Sequence, residues 1–136
     1  MIRLLYFSQA MNAMSDEDVQ GILHISRRNN SAIGITGVLI YGGGLFMQVL
    51  EGPEHSVLKK YVKIIDDKRH TNCQIIYITP TNKRIFEGWS MGMISCGHSF
   101  EFEHILELRN QRKEVIRDKV FKDAMSEFLR RLKADP

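Results

Sequence analysis

The sequence predicts an α+β protein with one folded domain and a helical extension. Short apolar runs bounded by turn residues alternate with stretches in which apolar residues recur at helical spacing. Hydrophobic residues make up 43% of the 136 residues, which is enough to form a core and too much for a disordered chain. These two observations indicate a small sheet with helices packed against it.

The first predicted elements are a strand over residues 2–9 and a helix that begins after Ser15. The strand is short, rich in apolar and aromatic residues and followed by a turn, which favours a strand over a buried helical turn. Ser15 is a preferred N-cap residue, and the acidic residues 16–18 suit the positive end of the helix dipole. Helical spacing from Val19 onward gives one apolar face, and the helix is predicted to end near Asn29.

The middle of the chain predicts a hairpin, a second helix and two more strands. Gly42, Gly43 and Gly44 supply the backbone freedom of a tight hairpin turn, and Pro53 suits the start of a helix. The predicted ranges are strands 35–41 and 45–51, a helix over 54–68, a strand over 73–79 and a short strand over 89–95. The resulting order, β-α-β-β-α-β-β, is the ferredoxin-like plan, in which two helices cover one face of the sheet.

The remaining residues, 96–136, are predicted to form a C-terminal helical cap on the domain formed by residues 1–95. Its helices are expected over residues 100–110 and 114–133. The apolar stripe of the second helix is wide for a lone surface helix, so we expect it to cover the open sheet face, a partner subunit, or both. The stripe therefore also predicts a homo-oligomer.

Composition and motifs exclude several functional classes. The 19 basic and 16 acidic residues leave a net charge of +3 that is spread along the chain, which argues against a nucleic-acid binder. No apolar run is long enough for a membrane helix and the N-terminus is too polar for a signal peptide, so we expect a cytoplasmic protein. The cysteines and histidines show no zinc-ligand spacing, and no phosphate-binding loop follows the first strand. Neither a metal site nor an enzymatic activity is predicted.

Two polar side chains inside apolar strands are the strongest functional signal. Tyr6 and Gln48 each lie in the middle of a strand, and the fold plan makes these strands neighbours. A buried amide needs a hydrogen-bond partner, so the phenol and the amide are candidates to bond to each other. An alternating strand would equally place Gln48 in solvent, and spacing alone does not decide between the two.

Three other groups of residues have ordinary structural explanations beside a functional one. Asn29 and Asn30 suit the end of the first helix, because asparagine tolerates left-handed backbone. Residues 67–70 are typical of a solvated helix end with favourable basic charge. Trp89 and Met91 are typical of core packing on the last strand.

Taken together, these positions resemble a known family. The stretches that carry the resemblance are Leu5-Tyr6-Phe7-Ser8, Asn29-Asn30, Gly34-Ile35-Thr36-Gly37-Val38-Leu39, Phe46-Met47-Gln48-Val49-Leu50-Glu51-Gly52, Asp67-Lys68-Arg69-His70 and Phe86-Glu87-Gly88-Trp89-Ser90-Met91. They occur in order over residues 1–95 and are similar to the BLUF domain, a blue-light sensor that uses FAD. Each stretch alone is weak, whereas the combined set is highly specific. The chain resembles the short bacterial BLUF proteins that carry no attached output domain.

The resemblance implies a photoswitch rather than an enzyme with turnover. Tyr6 is implied as the donor of an electron and a proton to the excited flavin, and Gln48 as the amide that then changes its hydrogen bonds. Trp89 and Met91 are implied to report the change outward, and the resemblance leaves open which of them points inward in the dark. The implied function is blue-light signalling through the last strand and the C-terminal helices, to a partner or within an oligomer.

The same resemblance implies a set of FAD-binding residues. Asn30 is implied as an anchor of the pyrimidine edge of the flavin, and Asn29 as a neighbour of the ribityl chain or phosphate. Ile22 and Ile64, one from each helix, are implied to sandwich the ring. The other implied contacts, near the switch, the ring edge or the phosphates, are Ser8, Gln48, Lys63, Asp67, Arg69 and His70.

Two other functions share the fold plan. A flavin-free ferredoxin-like module that binds or regulates a partner is the first, although the diffuse positive charge argues against RNA as that partner. A small hydrolase of the acylphosphatase type is the second, but it requires an arginine in the loop after the first strand, and residues 10–14 contain none. Yellow colour from a bound flavin separates the sensor from both alternatives.

Overall fold

The fold consists of one five-stranded sheet with helices on both faces. The computed structural model describes residues 1–12, 14–95 and 118–134. The elements are β1 Ile2–Ala10, α1 Asp16–Ile33, β2 Thr36–Gly42, β3 Leu45–Gly52, α2 Glu54–Ile65, β4 His70–Pro80, β5 Gly92–Ser95 and α3 Asp118–Ala134. This order confirms the predicted α+β class with its ferredoxin-like plan. The helix predicted over residues 100–110 lies outside the described residues, as do residues 114–117 of the last predicted helix.

The sheet has the strand order β4-β1-β3-β2-β5. β1 pairs with β3 on one side and with β4 on the other, and both pairings are antiparallel. β2 pairs antiparallel with β3 and parallel with β5. β1, β3 and β2 are therefore interior strands, and the register of β1 and β3 places Tyr6 directly opposite Gln48.

Side-chain alternation divides the core into two layers, one on each face of the sheet. Leu4 and Tyr6 of β1 point toward α1 and α2 and pack with buried residues of both helices. Leu5 and Phe7 point the other way and pack in the cluster that contains Phe128 of α3. The predicted placement of two helices on one face is confirmed, and α3 covers the opposite face. No helix among the described residues has the length and apolar character needed to cross a membrane.

The first helix begins where it was predicted and ends later. Ser15 and Asp18 form a reciprocal capping box, which satisfies backbone N–H groups of the first turn. The prediction of an end near Asn29 was wrong, because α1 continues to Ile33. Gly34 ends it in the left-handed conformation, with φ 72°, and its N–H donates to the carbonyl of Asn30. Asn30 is therefore an internal residue of the helix, with a buried side chain.

Three other boundaries differ from the prediction. β4 begins at His70 rather than Cys73, because Gln9 and Ala10 of β1 already pair with Thr71 and His70. The other two differ for local reasons. α2 ends at Ile65 rather than residue 68, because the Asp67 side chain accepts hydrogen bonds from the backbone and guanidinium of Arg69 and closes a turn there. β5 begins at Gly92 rather than Trp89. A turn precedes it, in which Gly88 has a φ of 84° and the N–H of Trp89 donates to the carbonyl of residue 86. Trp89 and Met91 thus lie just before the last strand and not within it.

Candidate functional site

The centre of the site is a buried hydrogen bond between two strands. The Tyr6 hydroxyl donates to Gln48 Oε1 across 2.5 Å, and the two side chains are 3% and 6% exposed. The amide nitrogen of Gln48 points to the sulfur of Met91, 3.4 Å away. Gln48 therefore does not face solvent, which excludes that alternative. Its amide stands between a strong donor and a weak acceptor, so a rotation of the amide would reverse both contacts.

The surroundings of Tyr6 keep its phenol protonated. Burial raises the pKa of Tyr6 well above its usual value, with smaller contributions from Cys73, Tyr61 and Asp67. The Tyr61 ring lies beside it, at 5.3 Å between ring centroids. A buried, neutral phenol with one short hydrogen bond is suited to give up an electron and a proton together.

A cleft of about 190 Å³ opens over this pair, between α1 and α2. Leu39 and Phe46 form the apolar part of its floor beside Tyr6 and Gln48. Ile22 of α1 and Ile64 of α2 line its two sides and are half-buried. The helices thus supply one aliphatic wall each, which is the arrangement that a flat aromatic ligand requires.

His70 closes one end of the cleft and is held by two hydrogen bonds. The carbonyl of Ile64 can only accept, so His70 Nε2 carries a hydrogen and donates it across 2.5 Å. In the neutral ring Nδ1 then accepts from the hydroxyl of Ser8, at 2.8 Å. Ser8 is fully buried beneath the ring. Strand β1 therefore fixes the His70 ring through Ser8, two residues from Tyr6.

Charged side chains surround the open end of the cleft. Lys60 and Lys63 line it from α2, while Asp67 and Arg69 line it from the turn that follows. Burial and the neighbouring Lys63 lower the pKa of Lys60. The hydrogen-bonded Arg69 guanidinium lowers the pKa of Asp67 to about 2. Three cations and one paired carboxylate leave this rim positive, which suits an anionic group.

Asn30 contributes an unsatisfied acceptor next to the cleft. Its side-chain nitrogen donates to the carbonyl of Ser90 across 2.9 Å, and the residue is fully buried. Its Oδ1 has no hydrogen-bond partner among the described residues. Asn30 lies one helical turn beyond Ser26, which lines the cleft. A buried carbonyl without a donor costs free energy, so this position is suited to a ligand N–H group.

The remaining predicted site residues separate onto different faces. Met91 is 1% exposed and belongs to the core layer that contains Tyr6. Trp89 is half-buried and packs against the layer under α3, on the opposite face of the sheet. Asn29 is exposed on α1 and does not line the cleft. The structure therefore brings Met91 to the switch and keeps Trp89 and Asn29 apart from it.

The sequence analysis missed several residues that line the cleft. They are Ile25, Ser26, Leu39, Phe46 and Lys60. Signals for two of them were present, because Ser26 follows Ile22 by one helical turn and Lys60 precedes Lys63 by three residues. Among the described residues, no group of three histidine, cysteine or acidic side chains is placed to hold a metal ion.

Comparison with known proteins decides the family. Residues 1–92 match the family model for BLUF, described as sensors of blue-light using FAD. The chain belongs to the BLUF family. A sensor of blue light with FAD as cofactor is therefore the function of this domain, as the resemblance of the motifs implied.

Individual relatives agree with this assignment. The chain is 38% identical over 89 residues to photoactivated adenylate cyclase subunit beta of Euglena longa, which is 65% of this chain and 10% of that subunit. It thus spans about a tenth of the length of that curated relative. It is similar to the photo-activated state of BlsA, with a TM-score of 0.77 and 29% identity over 94% of each chain. It is also similar to the dark state of BlrB, with a TM-score of 0.72 and 27% identity over 99% of this chain and 96% of that one.

The residues of this BLUF chain fit FAD on three structural grounds. The slot between Ile22 and Ile64 suits a flat ring. The orphan Oδ1 of Asn30 suits the N–H of a flavin pyrimidine edge. The basic rim with Lys63 and Arg69 suits the pyrophosphate.

Proposed function

We propose that this BLUF domain is a photoreceptor without turnover, in which Tyr6 and Gln48 form the switch. The single observation that carries the proposal is the continuous contact from the Tyr6 hydroxyl through the Gln48 amide to the Met91 sulfur. It joins a neutral, oxidisable phenol to a rotatable amide and then to the segment before the last strand. No covalent bond to a substrate is needed for such a switch.

Light absorption and an electron acceptor are what FAD supplies when bound. Tyr6 Oη would give an electron and its proton toward the cleft, and both would return to Oη before the long-lived light state is established. In between, the Gln48 amide loses its donor and changes which groups it bonds. The Gln48 amide would then donate a hydrogen bond toward bound flavin, which would shift the flavin absorption to the red. A change of one neutral hydrogen bond is worth about 0.5–1.5 kcal/mol, which is enough to shift a two-state equilibrium by up to about tenfold.

The binding residues of the same proposal follow from the fit described above. Ile22 and Ile64 sandwich the ring, Asn30 holds the pyrimidine edge, and Lys63 meets the phosphates. Support comes from the cleft that Ile22, Ile64 and Lys63 share and from the unpaired acceptor of Asn30. Ser8 keeps the ring of His70 in place at the edge of the flavin. The proposed role of Asn29 near the ribityl chain lacks such support, since its side chain is exposed.

The signal leaves the domain along β5 and α3. Met91 precedes Gly92, whose missing side chain makes room for Leu132 of α3. A movement of Met91 is therefore passed to α3 through the next residue, Gly92, which contacts Leu132. We propose that the affected surface contacts a partner protein or a second copy of the chain.

No cyclase activity is part of this proposal, although the names of the relatives include adenylate cyclase. A cytoplasmic location is part of the proposal.

The test is the absorption spectrum of the purified, FAD-loaded protein before and after blue light. Wild type is expected to show a small red shift that reverses in the dark. Tyr6→Phe is expected to bind FAD but to lose the shift, because phenylalanine has no hydroxyl proton to give and its ring is harder to oxidise. Tyr41→Phe is the matched control, because Tyr41 is a half-buried tyrosine that packs on Phe46 and does not line the cleft.

Each outcome of this experiment has a defined meaning. A normal shift in Tyr6→Phe would contradict the proposed mechanism, and loss of the shift in Tyr41→Phe would show that any tyrosine change disturbs the site. A wild-type protein that stays colourless after reconstitution with FAD would favour the flavin-free binding module instead.

A further inference from the structure

Glu51 carries a fully buried carboxylate on the face of the sheet opposite the flavin cleft. It lies three residues after Gln48 on β3, so its side chain points to the other face. The carboxylate is 0% exposed and accepts three hydrogen bonds. Arg3 Nε donates at 2.7 Å, and the backbone N–H groups of Ile85 and Phe86 donate at 2.9 and 2.7 Å. The carboxylate thus binds the connection between β4 and β5.

Arg3 adds a second hold on the same connection. It lies directly opposite Glu51 in the register of β1 and β3, and its Nη2 donates to the carbonyl of Lys83 across 2.9 Å. Two charged side chains on the neighbouring strands β1 and β3 therefore bind backbone groups of residues 83–86. Residues 81–91, which we name the 81–91 segment, connect the end of β4 to the start of β5.

The other end of the 81–91 segment contacts the switch. The carbonyl of Ser90 accepts from Asn30, and the carbonyl of Met91 accepts from Arg27 Nε across 2.8 Å. The sulfur of Met91 faces the Gln48 amide. Held by Glu51 at one end, the segment therefore presents its last residues to the groups that change with light.

A buried ion pair is weak evidence for stability, because the desolvation of two charges offsets their attraction. Here the carboxylate accepts two backbone N–H groups as well as the guanidinium, and an apolar residue in its place would leave those groups without acceptors. The pair is therefore better explained by the position it gives the 81–91 segment than by stability alone. Its strand also carries Gln48, so anchor and switch belong to one rigid element.

We propose that Glu51 is a positioning residue of the light response, which fixes the 81–91 segment so that the arrangement of Gln48 and Met91 in the dark is the favoured one. This inference rests on the proposed function. When Gln48 changes its hydrogen bonds, an anchored segment cannot follow freely, and the domain is driven back to its starting arrangement. A released segment relaxes around the new arrangement and prolongs it.

The test is the rate of dark recovery in FAD-loaded Glu51→Gln. The amide keeps the size of the side chain but replaces one acceptor oxygen by a donor. With the amide oxygen left to Arg3 and Ile85, the NH2 group opposes the N–H of Phe86. Recovery is expected to slow by about threefold or more, because the lit arrangement gains stability relative to the barrier. The dark flavin spectrum and the FAD affinity are expected to stay at wild-type values, since Glu51 does not line the cleft.

A matched control separates position from general destabilisation. Ile76→Ala removes buried side-chain volume from the same core layer without a hydrogen bond to the 81–91 segment. It is expected to lower the melting temperature and leave the recovery rate unchanged. Arg3→Lys keeps the charge beside Glu51 but cannot also reach the carbonyl of Lys83, so a smaller slowing is expected. It serves as the second variant if Glu51→Gln fails to fold.

The outcomes distinguish this inference from the proposed function. Wild-type recovery in both Glu51→Gln and Arg3→Lys, or equal slowing in Ile76→Ala, would overturn the positioning role while the photoswitch stands. A wild-type chain that binds FAD and shows no shift would instead overturn the proposed function. Faster hydrogen exchange at the Phe86 amide, together with slowed recovery in Glu51→Gln, would support the anchor directly.

Discussion

Tyr6 and Gln48 are direct cross-strand partners on the buried, cleft-facing side of β1 and β3, and the phenol donates to the amide oxygen. Each side chain satisfies the hydrogen-bonding group of the other, which would otherwise be buried in an apolar layer without a partner. A buried donor or acceptor that loses its partner costs about 1–3 kcal/mol, whereas the removal of both partners is nearly neutral. Changes to Tyr6 or Gln48 should therefore alter the free energy of unfolding as well as the absorption spectrum.

Gln48→Leu and Tyr6→Phe are each expected to lower the free energy of unfolding by about 1–3 kcal/mol. The double variant is expected to lose less unfolding free energy than the two single variants lose together, because neither group is then left without a partner. Urea unfolding of all four proteins measures this coupling. Gln48→Leu is also expected to bind FAD without forming the normal shifted state. Additive losses would show that the two side chains do not depend on each other.

Lys63→Ala is expected to weaken the binding of FAD and to leave the binding of riboflavin unchanged. Lys63 lines the open end of the cleft, where the rim is positive, and riboflavin lacks the phosphates that such a rim attracts. A partly exposed contact of this kind is worth about 1 kcal/mol or less, so the Kd for FAD should rise by up to about fivefold. Fluorescence titration with both flavins measures the ratio. Lys59→Ala, an exposed change on the same helix that does not line the cleft, is the control.

Gly92→Ala is expected to disturb the docking of α3. A Cβ at Gly92 would lie 2.5 Å from Cδ2 of Leu132, which is buried and has little room to move. Such overpacking costs about 1–3 kcal/mol, and Leu132→Ala in the same chain should recover part of it. Gly21→Ala is the matched control, because nothing lies within 4 Å of its Cβ position. It should stabilise α1 by about 0.5–1 kcal/mol. Thermal unfolding that ranks the two glycine variants the other way would contradict this packing.

Asp67 is expected to make stability depend on pH in the acid range. Arg69 lowers the pKa of Asp67 from 3.8 to about 2, so the folded state binds the proton less readily than the unfolded one. The contribution is complete above the unfolded pKa, decreases as the pH falls below 3.8, and is lost as the pH passes through the folded pKa of about 2. Both partners are partly exposed, so it amounts to about 1 kcal/mol at most.

Asp67→Asn should therefore cost about 1 kcal/mol at neutral pH, and the cost should fall with pH and vanish only well below pH 2, as measured by denaturant unfolding across that range. Asp66→Asn, at the exposed neighbouring position, should show no such change. A difference between wild type and Asp67→Asn that stays constant with pH would exclude the ion pair as its origin.

The sequence predicted the strands and their neighbours well because apolar runs and turn residues are local signals. The fold plan made β1 and β3 neighbours, but the sequence left open whether Gln48 meets Tyr6 or faces solvent. A shift of the register by two residues keeps every side chain on its face, so only the structure shows that the two are directly opposite. The end of α1 was predicted wrongly because Asn30 looked like a cap. Its buried bond to Ser90, sixty residues away, is a tertiary contact that no local pattern reports.

Met91 and Trp89 show a different limit. Two residues apart on a regular strand, they would share a face. The irregular backbone between Gly88 and β5 sends them to opposite layers instead. Glu51 was quoted only as part of a motif, although a signal was available. Glu51 and Arg3 are charged residues in otherwise apolar runs, and the predicted neighbouring strands would have suggested that they pair.

The placement of Tyr6 and Gln48 on two interior strands has a consequence for modularity. β1 and β3 are paired on both sides, whereas β5, within the described part of the sheet, is joined to β2 alone over four residues. The proposed photochemistry therefore lies on strands that are paired on both sides, whereas the short edge strand β5 has fewer hydrogen bonds to break when it moves. An output element that contacts only β5 can therefore be exchanged for another without changing the contacts of Tyr6 and Gln48.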